Sequence, residues 1–153
     1  MSKPNTELFL MYRDADNYKA YLTVVLAGAI TDEQLAAIKP KLSDGCFIIA
    51  EQVGLPTPSF QFSHYDNWPN EDCDHVFTTW GAFEGGVPTA AELLTDDEPT
   101  IELTADQLVA NILAVEDWDV EKEWRRMLNG GLPETPRRAV HLSGAARWVQ
   151  SGS

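Results

Sequence analysis

The sequence predicts an α+β fold, an antiparallel sheet of about four or five strands with helices packed on one face, two of them C-terminal. Three observations carry this. The strand-like runs come early and are joined by turn residues, which is hairpin and not crossover connectivity. The two clearest helical stripes come late and together, between residues 104 and 128. No internal repeat divides the 153 residues, a length that suits one domain able to bury its own core. We assign residues 1–133 to that domain and read 134–153 as a short basic tail, expected to be mobile.

Residues 7–13, ELFLMYR, read as a strand, and DADN at 14–17 as a turn, because Asp and Asn tolerate left-handed backbone. YKAYLTVVLAG follows as the partner strand, with Tyr18, Ala20, Leu22, Val24 and Leu26 on one face at period two. Thr31 and Gln34 have the spacing of a capping box, so a helix begins there, and Pro40 ends or kinks it. CFIIAEQV, at 46–53, reads as a buried strand, FQFSHY at 60–65 as a short alternating one, and HVFTTWGAF at 75–83 as another. Residues 84–100 are acidic and rich in turn formers. Thr104 and Gln107 repeat the capping-box spacing, and Leu108, Val109, Ile112 and Leu113 form a helical stripe. Carried forward, that stripe meets Glu116, Asp119 and Glu123, so a break near Asp117 is expected. A second stripe, Val120, Trp124, Met127 and Leu128, is expected to face the core, ending at Asn129-Gly130-Gly131.

Charge is the strongest global signal. The net charge is −13, and no Lys or Arg occurs between Lys41 and Lys122, a stretch holding 17 acids. Residues 1–134 hold all 24 acids against eight Lys and Arg, a net of −16, whereas the tail from 135 onward carries three arginines and no acid. Such a body repels nucleic acid and anionic membrane and attracts a basic protein surface. Charge that serves solubility alone has the same composition. The apolar runs are too short to span a bilayer, and no signal peptide is visible, so a cytoplasmic protein with two reduced thiols, Cys46 and Cys73, is expected.

The segment HYDNWPNEDCDH, residues 64–75, concentrates chemistry-bearing side chains. His64, Cys73 and His75 are ligand types that suit zinc, but neither C-x-x-C nor H-E-x-x-H spacing is present. Asp66, Asn67, Asn70, Asp72 and Asp74 offer oxygens to calcium, without the spacing or glycine of an EF-hand loop. Cys73 is a poor nucleophile on sequence grounds, because Glu71, Asp72 and Asp74 disfavour the thiolate. Neither a phosphate-cradling loop nor a nucleophile elbow occurs. What remains is an acidic surface loop with aromatic anchors. Tyr65, Asp66, Trp68, Glu71, Asp72 and Asp74 are its candidate partner-binding residues, set against Trp68 folding back to cover the sheet.

The hairpin YRDADNYK, Tyr12 to Lys19, together with FIIAEQVGLP, resembles a family of small uncharacterised bacterial proteins. The resemblance implies a bacterial origin and no activity. Two functional readings follow from the residues themselves. The first is a non-enzymatic acidic module, without cofactor, that engages a protein partner through a basic surface. An accessory subunit, an immunity or antitoxin-like neutraliser, or a mimic of nucleic-acid charge would each fit. The second is a metal-binding protein or metal-dependent hydrolase using His64, Cys73 and His75.

Overall fold

β1 (Asn5–Arg13) and β2 (Lys19–Leu26) form the central hairpin of a computed structural model that describes residues 4–63, 65 and 68–129, and the backbone of 148–151. The two strands pair antiparallel from Thr6 opposite Leu26 to Arg13 opposite Lys19. This register puts Leu8, Leu10 and Tyr12 on the same face as Ala20, Leu22 and Val24, and all six are buried. The turn is built as its residues dictate. Asp14 Oδ1 accepts from the backbone N–H of Asp16 and of Tyr18, at 2.9 Å each, and Asn17 takes left-handed backbone at φ 69°.

The sheet runs β3 (Phe47–Ile48), β4 (Thr78–Trp80), β1, β2 and β6 (Trp148–Ser151), every pairing antiparallel. The two-residue β5 (Leu94–Thr95) shares the β4 edge of β1. α1 (Asp32–Ile38) and α3 (Ala105–Leu113) cover one face, where Leu35, Ile38, Leu108 and Ile112 join Leu8, Leu22 and Trp80 in the main core. Both expected capping boxes form, at Thr31 with Gln34 and at Thr104 with Gln107. α1 stops at Ile38, and Pro40 lies in a 3-10 turn behind it. A third capping box, Thr89 with Glu92, opens the short α2 (Ala90–Leu93) inside the acidic stretch read as turns. No helix among the described residues is long and apolar enough to cross a membrane.

Three expected elements differ. FQFSHY is not a strand: Pro58–Phe62 is a 3-10 helix. Pro58 at its first turn fixes φ and needs no hydrogen-bond partner for nitrogen, and Phe60 and Phe62 are both buried without strand alternation. CFIIAEQV is strand only at Phe47–Ile48. Ala50–Val53 is a 3-10 helix, ended by Gly54 at φ +92°, where an added Cβ would lie 3.1 Å from Leu103 Cδ1. A continuous apolar run has no period to tell strand from helix. HVFTTWGAF keeps three strand residues, Thr78–Trp80. Of the tail, only 148–151 lie within the described residues.

The break before the last helix forms as expected, between Leu113 and α4 (Val120–Leu128), with Asp119 as N-cap. The face α4 buries is another matter. Val120 and Leu128 are 46% and 58% exposed and Trp124 is half-buried, while Met127 and Glu123 are buried, Glu123 to 2%. Glu123 is tolerated inside because it pairs with Arg126, whose guanidinium lies 4.4 Å over the ring of Phe60. A charge excluded from the core by hydropathy is admitted once it arrives with its partner.

Candidate functional site

The hairpin turn and the loop that follows Phe62 meet at the end of the sheet. Ala15 N–H donates to the Cys73 carbonyl at 2.9 Å, which fixes the two segments to one another. Asp74 is the principal clamp. Its Oδ1 accepts from the Tyr12 hydroxyl at 2.6 Å and its Oδ2 from the Asn70 N–H at 2.8 Å. The Tyr12 hydroxyl accepts in turn from the His75 N–H at 3.2 Å. Tyr12 is buried, and that burial, with Asp74 next in weight, holds its hydroxyl far above the ordinary tyrosine range.

Between turn and loop lies a cleft of about 390 Å³. Asp14, Asp16 and Asp74 supply carboxylates to its lining, and Tyr18, Phe62, Tyr65 and Trp68 supply rings. Asn70 and Cys73 complete it, so among the described residues no Lys or Arg lines it. Tyr65 is 46% exposed and stacks on Phe62, the centroids 6.1 Å apart. Tyr18, expected on the buried face of β2, is also exposed, because it belongs to the turn and not to the strand.

The loop residues singled out by sequence separate into distinct roles. Glu71 and Asp72 are exposed, and Asp74 is half-buried on Tyr12. Trp68 is half-buried, edge-on to Phe60 at 6.4 Å, and packs against both Phe62 and Met127 with their neighbours. It therefore covers the end of the sheet and also forms a wall of the cleft. His64 and Asp66 lie outside the described residues. Asp14, Asp16, Tyr18 and Phe62 were not identified as site residues from sequence. Their signal, two acids and a tyrosine in a turn, reads equally well as turn chemistry.

His75 does not serve as the sequence reading of a metal trio requires. Its Nδ1 accepts from Phe77 N–H at 3.0 Å, so Nε2 carries the proton and donates to the Arg13 carbonyl at 2.8 Å. Both ring nitrogens are thus engaged, Nε2 in holding the loop to β1 and Nδ1 in a local turn. Among the described residues, the group that does converge is Asp14, Cys73 and Asp74, with ligand atoms within 4.8 Å of one another. A cation there would compete with hydrogen bonds already made by Asp14 and Asp74. It would also meet a thiol whose pKa is raised, first by burial and then by Asp74 and Asp14. Purified protein is accordingly expected to lose added zinc on dialysis. One-to-one retention of zinc, measured by elemental analysis, would reverse this.

Compared with known family models, curated proteins and solved structures, the chain matches none.

Proposed function

We propose that the protein is a non-enzymatic binding module that engages a basic surface of a partner protein through the cleft between hairpin turn and loop. The observation that carries this is the lining of that cleft, three carboxylates beside four aromatic rings and, among the described residues, no cation. Carboxylates supply charge, and ring faces attract the same cations and exclude water around them. Glu71 and Asp72 extend the negative field on the exposed side of the loop. Cys73, the nucleophile nearest the cleft, is held as thiol by its surroundings, which supports binding over catalysis. The charge balance argues against direct nucleic-acid binding. Free Cys46 and Cys73 suit a reducing cytoplasm.

The test is kinetic. With a partner captured at moderate salt, the association rate is expected to fall steeply as salt rises, since attraction is screened within about 10 Å at 0.1 M. Steering of this kind raises on-rates by roughly 10- to 1,000-fold, and salt removes that gain first. Asp16→Asn should lower the on-rate, whereas Tyr65→Ala should mainly raise the off-rate. An association rate that is flat across salt would leave the acidic surface as a solubility feature.

A further inference from the structure

The outer edge of β2 is closed along its C-terminal half. Val25 N–H donates to Thr100 Oγ1 and the Val25 carbonyl accepts from Thr100 N–H, each at 2.9 Å. The Ala27 carbonyl accepts from Ala105 N–H. The N-terminal half takes a strand. Residues 148–151 lie there antiparallel, Trp148 opposite Leu22 and Ser151 opposite Lys19. This stretch of edge adjoins the cleft on two sides. The 3-10 helix Pro58–Phe62 flanks it, Gln61 Nε2 donating to the Tyr21 carbonyl at 2.8 Å, and Phe62 of that helix lines the cleft. At the other end, Lys19 is followed backward in sequence by Tyr18, another cleft residue.

Polarity then decides what a seated strand brings with it. Because the pairing is antiparallel, an extended segment seated on this edge heads toward Tyr18 and the turn after its paired residues, about 3.4 Å per residue. In the sequence Ser151 is followed by Gly152 and Ser153, neither charged, and Arg137, Arg138 and Arg147 all precede the strand. The chain's own strand thus pairs with the backbone of the edge and has no Lys or Arg in the two sequence positions after it. An extended segment with the same polarity and a cation after its paired residues would supply both.

We infer that the β2 edge at Lys19–Leu22 is a strand-accepting site for an extended segment of a partner protein carrying Lys or Arg in the two positions after its paired residues, and that residues 148–151 compete for that edge. This rests on the proposed role of the cleft. It adds the form in which the basic partner is recognised, backbone pairing for affinity and the cleft for selection.

The probes are two fluorescent peptides, Trp-Val-Gln-Ser-Lys-Lys and Trp-Val-Gln-Ser-Glu-Glu, titrated against the full chain and its Val149→Pro/Gln150→Pro variant. Two prolines remove an edge donor whichever residue faces β2. The lysine peptide is expected to bind the variant at least about tenfold more tightly than the wild type, since a tethered competitor acts at high effective concentration. It should also bind about fivefold more tightly than the glutamate peptide. Equal binding of the two peptides, or no binding to a variant whose β1 amides keep native hydrogen exchange, overturns the inference. Should the prolines unfold the chain, Gly152→Lys/Ser153→Lys is compared with Gly152→Glu/Ser153→Glu. Amides 19 and 21, which face the outer edge as Val25 does, should exchange about fivefold more slowly in the lysine variant, and equal rates overturn the inference. A partner that docks on the cleft with a folded surface would pass the salt test and leave both peptides unbound, so the two readings fail separately.

Discussion

Trp80→Ala is expected to lower the free energy of unfolding by about 3–5 kcal/mol, the range for deleting a large aromatic from a close-packed core. Trp80 is 0% exposed, sits on β4 opposite Leu10 of β1, and meets Phe83 edge-on with centroids 4.8 Å apart. β1 and the turn that carries Phe83 therefore lose a shared partner at once. Its Nε1 is buried and has no hydrogen-bond partner among the described residues. The loss is thus one of packing and cavity alone, and Trp80→Phe should recover more than half of it. Urea unfolding with an unchanged slope measures both variants. A loss below about 1 kcal/mol for Trp80→Ala would show that the core closes over the gap and that Trp80 does not organise it.

Asp74→Ala is expected to cost about 2–3 kcal/mol, although Asp74 is only half-buried. The change removes the acceptor for the buried Tyr12 hydroxyl and for the Asn70 N–H, and frees the loop from the hairpin on that side. A double-mutant cycle with Tyr12→Phe should return a coupling of about 1 kcal/mol or more, since each change removes the same bond. The pair also has an alkaline signature. The folded state binds the Tyr12 proton more tightly than the unfolded chain does, mainly through burial. Stability from this group is therefore complete below pH about 10, the tyrosine value in an unfolded chain. Above that it is lost at up to about 1.4 kcal/mol per pH unit. Tyr12→Phe should lack this slope. Parallel alkaline profiles for wild type and Tyr12→Phe would mean that Tyr12 ionises with equal ease in both states.

The loop shows how a candidate site is partly legible. Cys73 reads in sequence as a poor thiolate, and its pKa is raised, with burial the largest single cause, followed by Asp74, Asp14, Asp16 and Asp72. Asp74 reads in sequence as one acid among several, and only its position against Tyr12, 62 residues away, makes it the clamp. His75 reads as a ligand type. Its Nδ1 is occupied by Phe77, two residues on, which is local, but its Nε2 is occupied by Arg13, which is not.

By itself the amino-acid order determined the features set within a few residues of chain. These are the β1–β2 hairpin with its Asp14–Asn17 turn, the caps at Thr31 and Thr104, the stop at Pro40 and the break before α4. Each depends on hydrogen bonds and backbone angles that neighbouring residues supply. It also determined the acidic balance, which no folding changes. Tertiary structure alone decided that 58–62 coils as a 3-10 helix, that Glu123 enters the core with Arg126, and that Val120 and Leu128 stay outside. It alone brought Asp14, Asp16 and Tyr18 to the loop and formed the cleft. The physical reason is the same each time. Whether a side chain is buried, paired or aimed into a cleft depends on groups distant in sequence, and a periodic pattern carries no information about which distant group arrives.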